Sequence, residues 1–393
     1  MRSVIQQLPG SKIREVANAG LGRSDVLAFW FGESDETTPE FVRAAAAESL
    51  TRGETFYSHN LGLPELREAI ARYTSALHRP LPAERVAVTS SGVSALMIAM
   101  QALAGAGDEV VVVVPVWPNL PAQPAILGAR VTRFPLAVRD GAWRLDLAAL
   151  LDAVTERTRV LLVNSPNNPT GWTLTRDEQQ AILAHCRRTG TWIVADEVYE
   201  RIWFGPGPTA PSFGEAGRLA APSFADLAEP DDRLVVAHSF SKSFLMTGWR
   251  LGWLVAPIDL MEAIGKLIEF NTSCAPVFVQ QGGLAGLGQA DRFIPALVER
   301  MRVCRDTLLP RLAALPGVTV ATPQGGMYAF FRVEGQDDSL AFAKRLVVES
   351  GLGLAPGAAF GDEAEGWLRW CFASRDPGRL VLGIERLAAA LRL

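Results

Sequence analysis

Lys242 stands between two serines in the run SFSKSFLMTGWR, with Arg250 eight positions on, just after the β-branched segment LVVAHS. A lysine there ordinarily lets its ammonium reach water along its aliphatic stem. Three other apolar segments, however, end in residues with complementary chemistry. TWIVADEVY closes on Asp196 and Tyr199, RVLLVN on the turn SPNNPTGW with Asn167 and Asn168, and ERVAVTS on Ser90, Ser91, Gly92 and Val93. A carboxylate at the end of an apolar strand is costly to bury unless a cation meets it. The N–H groups that open a helix, with Gly92 allowing close approach, make a seat for phosphate. One at a time these are a surface lysine, a capping carboxylate, a turn and an N-cap serine. Together they suit a phosphorylated pyridine aldehyde. Such a group needs an amine for an imine, a carboxylate to keep its ring nitrogen protonated, and donors for its phosphate and ring oxygen. Pyridoxal 5'-phosphate meets each demand. The amine must be neutral to react, so desolvation and nearby positive charge are expected to lower the pKa of Lys242.

These residues share a crevice only if their strands lie side by side. From about residue 86 the chain alternates short β-branched runs with helical patterns, which predicts a mostly parallel, doubly wound α/β sheet. Strands are predicted over 85–89, 109–115, 130–136, 159–164, 192–196, 234–239 and 251–256, with helices over 94–103, 146–154 and 176–188. Ligands of such sheets lie at the carboxyl ends of the strands, where all four chemical runs fall. The segment 205–230, rich in Gly, Pro, Ala and Ser, has no sustained period and reads as a surface excursion, a candidate lid or interface element. A helix is expected in DLMEAIGKLIEF, and short strands over 318–323 and 327–333. The expected division is a large α/β domain over residues 46–284 and a small α+β domain from 285–393 with the N-terminal segment 1–45.

A net charge of −4 without clustered Lys and Arg gives no reason to expect a nucleic-acid partner. The four cysteines and four histidines are scattered, with no CxxC and no HExxH, so neither a disulfide framework nor a metal site is expected. The first 20 residues lack the apolar core of a secretory signal, and the longest apolar stretch, 110–117, is well short of the roughly 18 residues of a membrane span. A cytoplasmic enzyme acting on small molecules is the expectation.

With these motifs assembled, the chain from about Asp25 to its C-terminus resembles the class I/II, fold-type I aminotransferases of the aspartate-aminotransferase-like superfamily. The resemblance implies a mostly parallel seven-stranded sheet flanked by helices, with a smaller α+β domain beside it. It implies Lys242 as the lysine bonded to pyridoxal phosphate, with Arg250 and Ser239 on the phosphate, helped by the N–H groups of Gly92 and Val93. Asp196 would pair with the pyridine nitrogen, Tyr199 and Asn168 would meet the ring oxygen, and Trp117 would stack on the ring. In FWFGESDETTP, Gly32 would lie near the substrate carboxylate; Asn168 also borders the substrate. In LAPGAAFGDEAEGWLRWCFAS, Arg369 would grip that carboxylate with a fork no lysine reproduces. Tyr57, in YSHNLGLPELREAI, would reach the phosphate of a neighbouring subunit, which implies a homodimer.

Two departures from the family pattern stand out. Val93 occupies a position where the aspartate-specific bacterial branch often has a lysine for the distal carboxylate, so a preference for aspartate is not implied. The run WPNLPAQPAILG (117–128) holds three prolines where the family has a helix, so a different local shape is expected. The activity implied is ping-pong transamination between an L-amino acid and a 2-oxo acid. The alternative is a β C–S lyase or decarboxylase on the same scaffold, because cofactor contacts do not decide which bond breaks. A non-catalytic ligand-binding module is the reading from another class.

Overall fold

The computed structural model describes residues 1–205 and 219–391. Its frame is a seven-stranded sheet with strands in the order Val86–Thr89, Gly252–Val255, Leu234–Ser239, Trp192–Asp196, Thr158–Asn164, Glu109–Val114 and Arg130–Pro135. All seven predicted strands are present. Gly252–Val255 runs antiparallel to both neighbours, and the remaining pairs are parallel. The central strands Leu234–Ser239, Trp192–Asp196 and Thr158–Asn164 are buried along nearly their whole length, as parallel strands covered by helices on both faces must be. Alternate side chains divide between two cores: Val111, Val163, Val236 and Trp253 on one face, Val110, Leu162, Val235 and Leu254 on the other. Each such side chain contributes about 1.5–3 kcal/mol by leaving water.

The crossover helices follow their predicted spans closely. Arg176–Thr189 starts in a capping box between Thr175 and Glu178 and stops at Gly190, whose φ of 74° supplies the left-handed cap. Residues 117–128 correct the expectation of a different shape, because a helix does form over Asn119–Leu127. Pro118 is its N-cap and Pro121 lies in its first turn, where N–H groups have no intrahelical partner to lose. Only Pro124 lies deep enough to remove a helical hydrogen bond.

A second sheet is antiparallel, in the order Val318–Val320, Tyr328–Val333, Trp367–Cys371, Ala355–Pro356. The N-terminal segment contributes Leu27–Ala28, which pairs in parallel with Leu352–Gly353 as a separate two-stranded sheet. The helix expected after Pro257 spans Ile258–Glu269. Of the excursion 205–230, residues 206–218 lie outside the described residues. Its end corrects the surface reading: residues 220–224 are buried. Ala221 N–H donates to the Glu200 carbonyl at 2.8 Å, and Gln179 Nε2 to the Pro222 carbonyl at 2.9 Å. The backbone polar groups of that stretch are thus paired on re-entry rather than left to water. Among the described residues, no helix is long and apolar enough to cross a membrane.

Candidate active site

The strand Leu234–Ser239 turns sharply after its last residue, and the turn carries Lys242 inward. Lys242 Nζ donates to the Gly32 carbonyl at 2.6 Å and lies 5.7 Å from the centre of the Tyr199 ring. Burial pushes its pKa down to about 8; the charge of Arg369 acts the same way, while Cys371, Glu33 and Asp196 oppose it. The lowered value expected from sequence is therefore present.

Asp196 ends its strand in register with Asn164 on one side and Ala237 on the other. Its carboxylate is buried and accepts one hydrogen bond, a long one of 3.4 Å from Val198 N–H. Burial raises its pKa to about 7, outweighing the opposing pull of the Val198 N–H and of the Lys242 charge. Asn164 braces the neighbourhood, donating to the Asp196 carbonyl at 2.9 Å and accepting from Asn168 N–H at 2.7 Å.

Arg369 comes from the second sheet, on the strand Trp367–Cys371. Its guanidinium is buried between two rings, 4.4 Å from the centre of Tyr328 and 4.9 Å from that of Phe360. One nitrogen donates to Asn168 Oδ1 at 2.9 Å and another to the Trp30 carbonyl at 2.5 Å. Nε has no partner, and no carboxylate among the described residues forms an ion pair with this cation. A buried guanidinium without an anion leaves a large desolvation cost unmet, so the position favours an anionic ligand.

The helix Gly92–Leu103 begins at the same crevice. Ser91, its N-cap, holds a φ of 137°, a region side chains rarely adopt and one that recurs where structure serves a site. The Ser91 hydroxyl caps Ser94 N–H at 3.0 Å, leaving the N–H groups of Gly92 and Val93 without acceptors among the described residues. A Cβ on Gly92 would come within 2.9 Å of the Ser239 side chain, so glycine is what lets the helix start touch that serine. Ser239 Oγ in turn accepts from Ser241 N–H at 3.1 Å. Trp117 is half-buried nearby, its N–H bonded to the Asn168 carbonyl at 2.8 Å.

Two candidates stand apart. The Arg250 guanidinium is exposed and donates to the Thr247 carbonyl at 2.6 Å, although its backbone, with φ of 56°, adjoins Leu251, whose carbonyl is 3.5 Å from Ser239 Oγ. Tyr57 is 88% exposed and touches no other candidate. Sequence reasoning missed Tyr328, Trp30, Phe360 and Asn164. Tyr328 lay within a run read only as a short strand, and its role in the site depends on Tyr199, 129 positions away.

A second polar cluster is buried on the sheet face that His238 shares with Trp253, whose rings stack at 4.9 Å. Although the spacing of histidines predicts no metal cluster, the fold brings ligand atoms of Glu197, Glu200 and His238 within 4.8 Å of one another. These groups have protein partners. Glu197 accepts from Ser223 Oγ at 2.5 Å and Phe224 N–H at 3.2 Å, while His78 bridges Asp226 at 2.9 Å and Glu200 at 3.2 Å. Burial disfavours charge on His78, but the bonds to Asp226 and Glu200 outweigh it and raise the pKa to about 10. A folded pKa above the unfolded value of about 6.5 gives stability fully present below pH 6.5 and lost as pH rises through 10. The melting temperature is expected to fall across that window, and His78→Gln to be less stable at pH 6 but flatter in its pH dependence. Equal slopes for the two proteins in calorimetric scans would remove His78 from the account.

A sheet whose strand ends gather a desolvated lysine and a buried unpaired carboxylate, facing a guanidinium from a second sheet, defines the fold-type I transferase class. Likeness to known proteins narrows this. The profile for aminotransferase class I and II matches residues 25–387, and the chain belongs to that family. It is 34% identical to an aspartate aminotransferase of Musicola paradisiaca over 92% of this chain and 88% of that protein. It is 32% identical to an arginine–pyruvate transaminase of Pseudomonas aeruginosa over 94% of this chain and 88% of that one. The structure of aspartate aminotransferase from Thermus thermophilus with maleate superposes with a TM-score of 0.88 at 29% identity, covering 99% of each chain. The relatives carry aminotransferase names, which does not favour the lyase alternative.

Proposed function

We propose that this chain binds pyridoxal phosphate through Lys242 and transfers an amino group from an L-amino acid to a 2-oxo acid. The observation that carries the reading is the opposition, across one crevice, of an amine with lowered pKa and a buried guanidinium that lacks an anion. The donor set fits the cofactor. Asp196 is a buried carboxylate short of partners, as a protonated pyridine nitrogen requires, and the open N–H groups of Gly92 and Val93 beside Ser239 suit a phosphate. Tyr199 and Asn168 would meet the ring oxygen and Trp117 the ring face, while Arg250, whose guanidinium donates to the Thr247 carbonyl, would reach the phosphate by turning its side chain from that contact. Bound there, the cofactor supplies an electron sink for the pair left when the bond from the amino acid's α-carbon to hydrogen breaks.

The chain's own residues do the rest. Arg369 and Asn168 hold the α-carboxylate beside Gly32 and so orient the α-hydrogen; Lys242 Nζ takes that proton as general base and returns it. Both substrates carry the same carboxylate, so one Arg369 serves both halves of a ping-pong cycle. Val93 supplies no cation for a second carboxylate, and the relatives' names span aspartate and arginine, so the donor is not restricted to acidic side chains. We further place the enzyme in the cytoplasm as a homodimer in which Tyr57 reaches the partner's phosphate site, with a large domain over 46–284 and a small one from the rest. The exposure of Tyr57 at 88% and of adjacent Phe56 at 83% supports the dimer.

A panel of L-amino acids assayed with 2-oxoglutarate and with pyruvate, following oxo acid and ammonia together, tests the activity. Continued turnover is expected only with both substrates present, the donor alone giving no more than one equivalent of oxo acid per site. Ammonia released without an acceptor would overturn transamination in favour of a lyase.

A further inference from the structure

Tyr328 opens the strand Tyr328–Val333 and is fully buried. Its hydroxyl oxygen is 2.7 Å from that of Tyr199, and the rings meet edge-on with centres 5.8 Å apart. Its face covers the Arg369 guanidinium at 4.4 Å. Gly32 comes so close that a Cβ there would fall 2.2 Å from the Tyr328 hydroxyl, and the Gly32 carbonyl accepts from Lys242 Nζ. One residue thus touches the groups proposed for the ring oxygen and the substrate carboxylate, as well as the segment that holds the lysine.

Two hydroxyls in one contact share a single hydrogen bond, so one proton lies between them and the other points away. Burial raises the pKa of both phenols, so both keep their protons at neutral pH. The direction of the shared bond follows from the surroundings. The cation over the Tyr328 ring draws electron density from it and makes its hydroxyl the better donor. Gly32 closes off the space beside that hydroxyl, which leaves the Tyr199 oxygen as its acceptor.

We propose that Tyr328 is a positioning residue that donates its hydroxyl hydrogen to the Tyr199 oxygen and thereby turns the Tyr199 hydrogen toward the cofactor's ring oxygen. This rests on the proposed cofactor site. Hydrogen bonds in series polarise one another, so the donor behind Tyr199 strengthens its bond to an ionised ring oxygen. Removing that donor makes the ring oxygen easier to protonate, and the pH midpoint of the bound cofactor's visible absorbance moves upward.

The test is a spectral pH titration of the cofactor-loaded protein as wild type, Tyr328→Phe, Tyr199→Phe and the double variant, with a melting curve for each. Tyr328→Phe keeps the ring over Arg369 and deletes only the oxygen. Its midpoint is expected to rise by about half a pH unit or more, at an essentially unchanged melting temperature. Tyr199→Phe is expected to shift further, and the double variant no further than Tyr199→Phe alone, because the two hydroxyls act as one chain. Gly32→Ala, whose Cβ displaces the same hydroxyl, is expected to move the midpoint in the same direction and gives a second line of test. A shift with Tyr199→Phe but none with Tyr328→Phe or Gly32→Ala overturns the role of Tyr328 alone. Independent, additive shifts overturn it as well. No shift with Tyr199→Phe overturns the cofactor contact of Tyr199 and the proposal with it.

Discussion

Lys242→Ala is expected to lower kcat by about ten-thousandfold or more, since it removes both the covalent anchor and the general base, the latter alone worth about 10²–10⁴. The protein should also lose its yellow colour and release cofactor on dialysis, while its far-ultraviolet circular dichroism stays that of the parent. The fold is expected to tolerate the change because the amine is a desolvated group with one hydrogen bond, to the Gly32 carbonyl. Losing it leaves that carbonyl short of a donor, at a cost of about 1–3 kcal/mol, against relief of the desolvation that holds the pKa near 8. The sign of the pH dependence follows from the same group. In the cofactor-free chain the amine sheds its proton as pH rises through about 8, so the rate of cofactor capture should climb up to that pH and level off above it. A capture rate still rising steeply at pH 10 would mean an ordinary surface lysine. A yellow, fully active Lys242→Ala protein would remove the lysine from the mechanism altogether.

What was legible beforehand divides along a physical line. The strands ending at Thr89, Asn164, Asp196 and Ser239 carry local β-branched patterns, and a parallel sheet has its ligand crevice at the strand ends. Local pattern and topology were therefore enough to bring Gly92, Asn168, Asp196 and Lys242 to one rim. The helix Asn119–Leu127 was not legible, because the count of prolines says less than where they fall within the turn. Arg369 and Gly32 were named only by family likeness, since nothing in WLRWC distinguishes a site cation from a strand-end charge. Tyr328 was missed for a related reason. A tyrosine in a short apolar strand is ordinary core filling until its hydroxyl is seen to meet another from a distant strand end. The carboxylates of Glu197 and Glu200 carry no signal in the sequence, yet they are buried beside His78 and His238, and His78 meets Glu200 over 122 positions. Long-range pairing of polar groups leaves no periodic trace in the chain. The end of the excursion, clamped at residues 220–224 by Gln179 and Glu200, shows the same limit.

Arg369→Leu is expected to separate function from stability. In the wild type the guanidinium is buried with hydrogen bonds to Asn168 Oδ1 and the Trp30 carbonyl, but without a counter-charge. Removing one member of a buried charge pair costs about 2–5 kcal/mol when its partner is present, which here means when the substrate carboxylate is bound. That converts to a fall of roughly 30- to several-thousand-fold in kcat/KM, and it should strike the amino-acid and 2-oxo-acid half-reactions alike. The ligand-free protein behaves differently. Leucine trades the desolvation of an unpaired cation for a fit between the Tyr328 and Phe360 rings, so the melting temperature should stay level or rise. Arg369→Lys keeps the charge but cannot span Asn168 and Trp30 with one planar fork, so it should recover only part of the lost kcat/KM. Half-reactions followed separately decide the matter. A defect confined to one substrate would mean that Arg369 reads a side chain rather than the shared carboxylate. A large drop in melting temperature would mean that the guanidinium is a structural tie between Asn168 and the N-terminal segment.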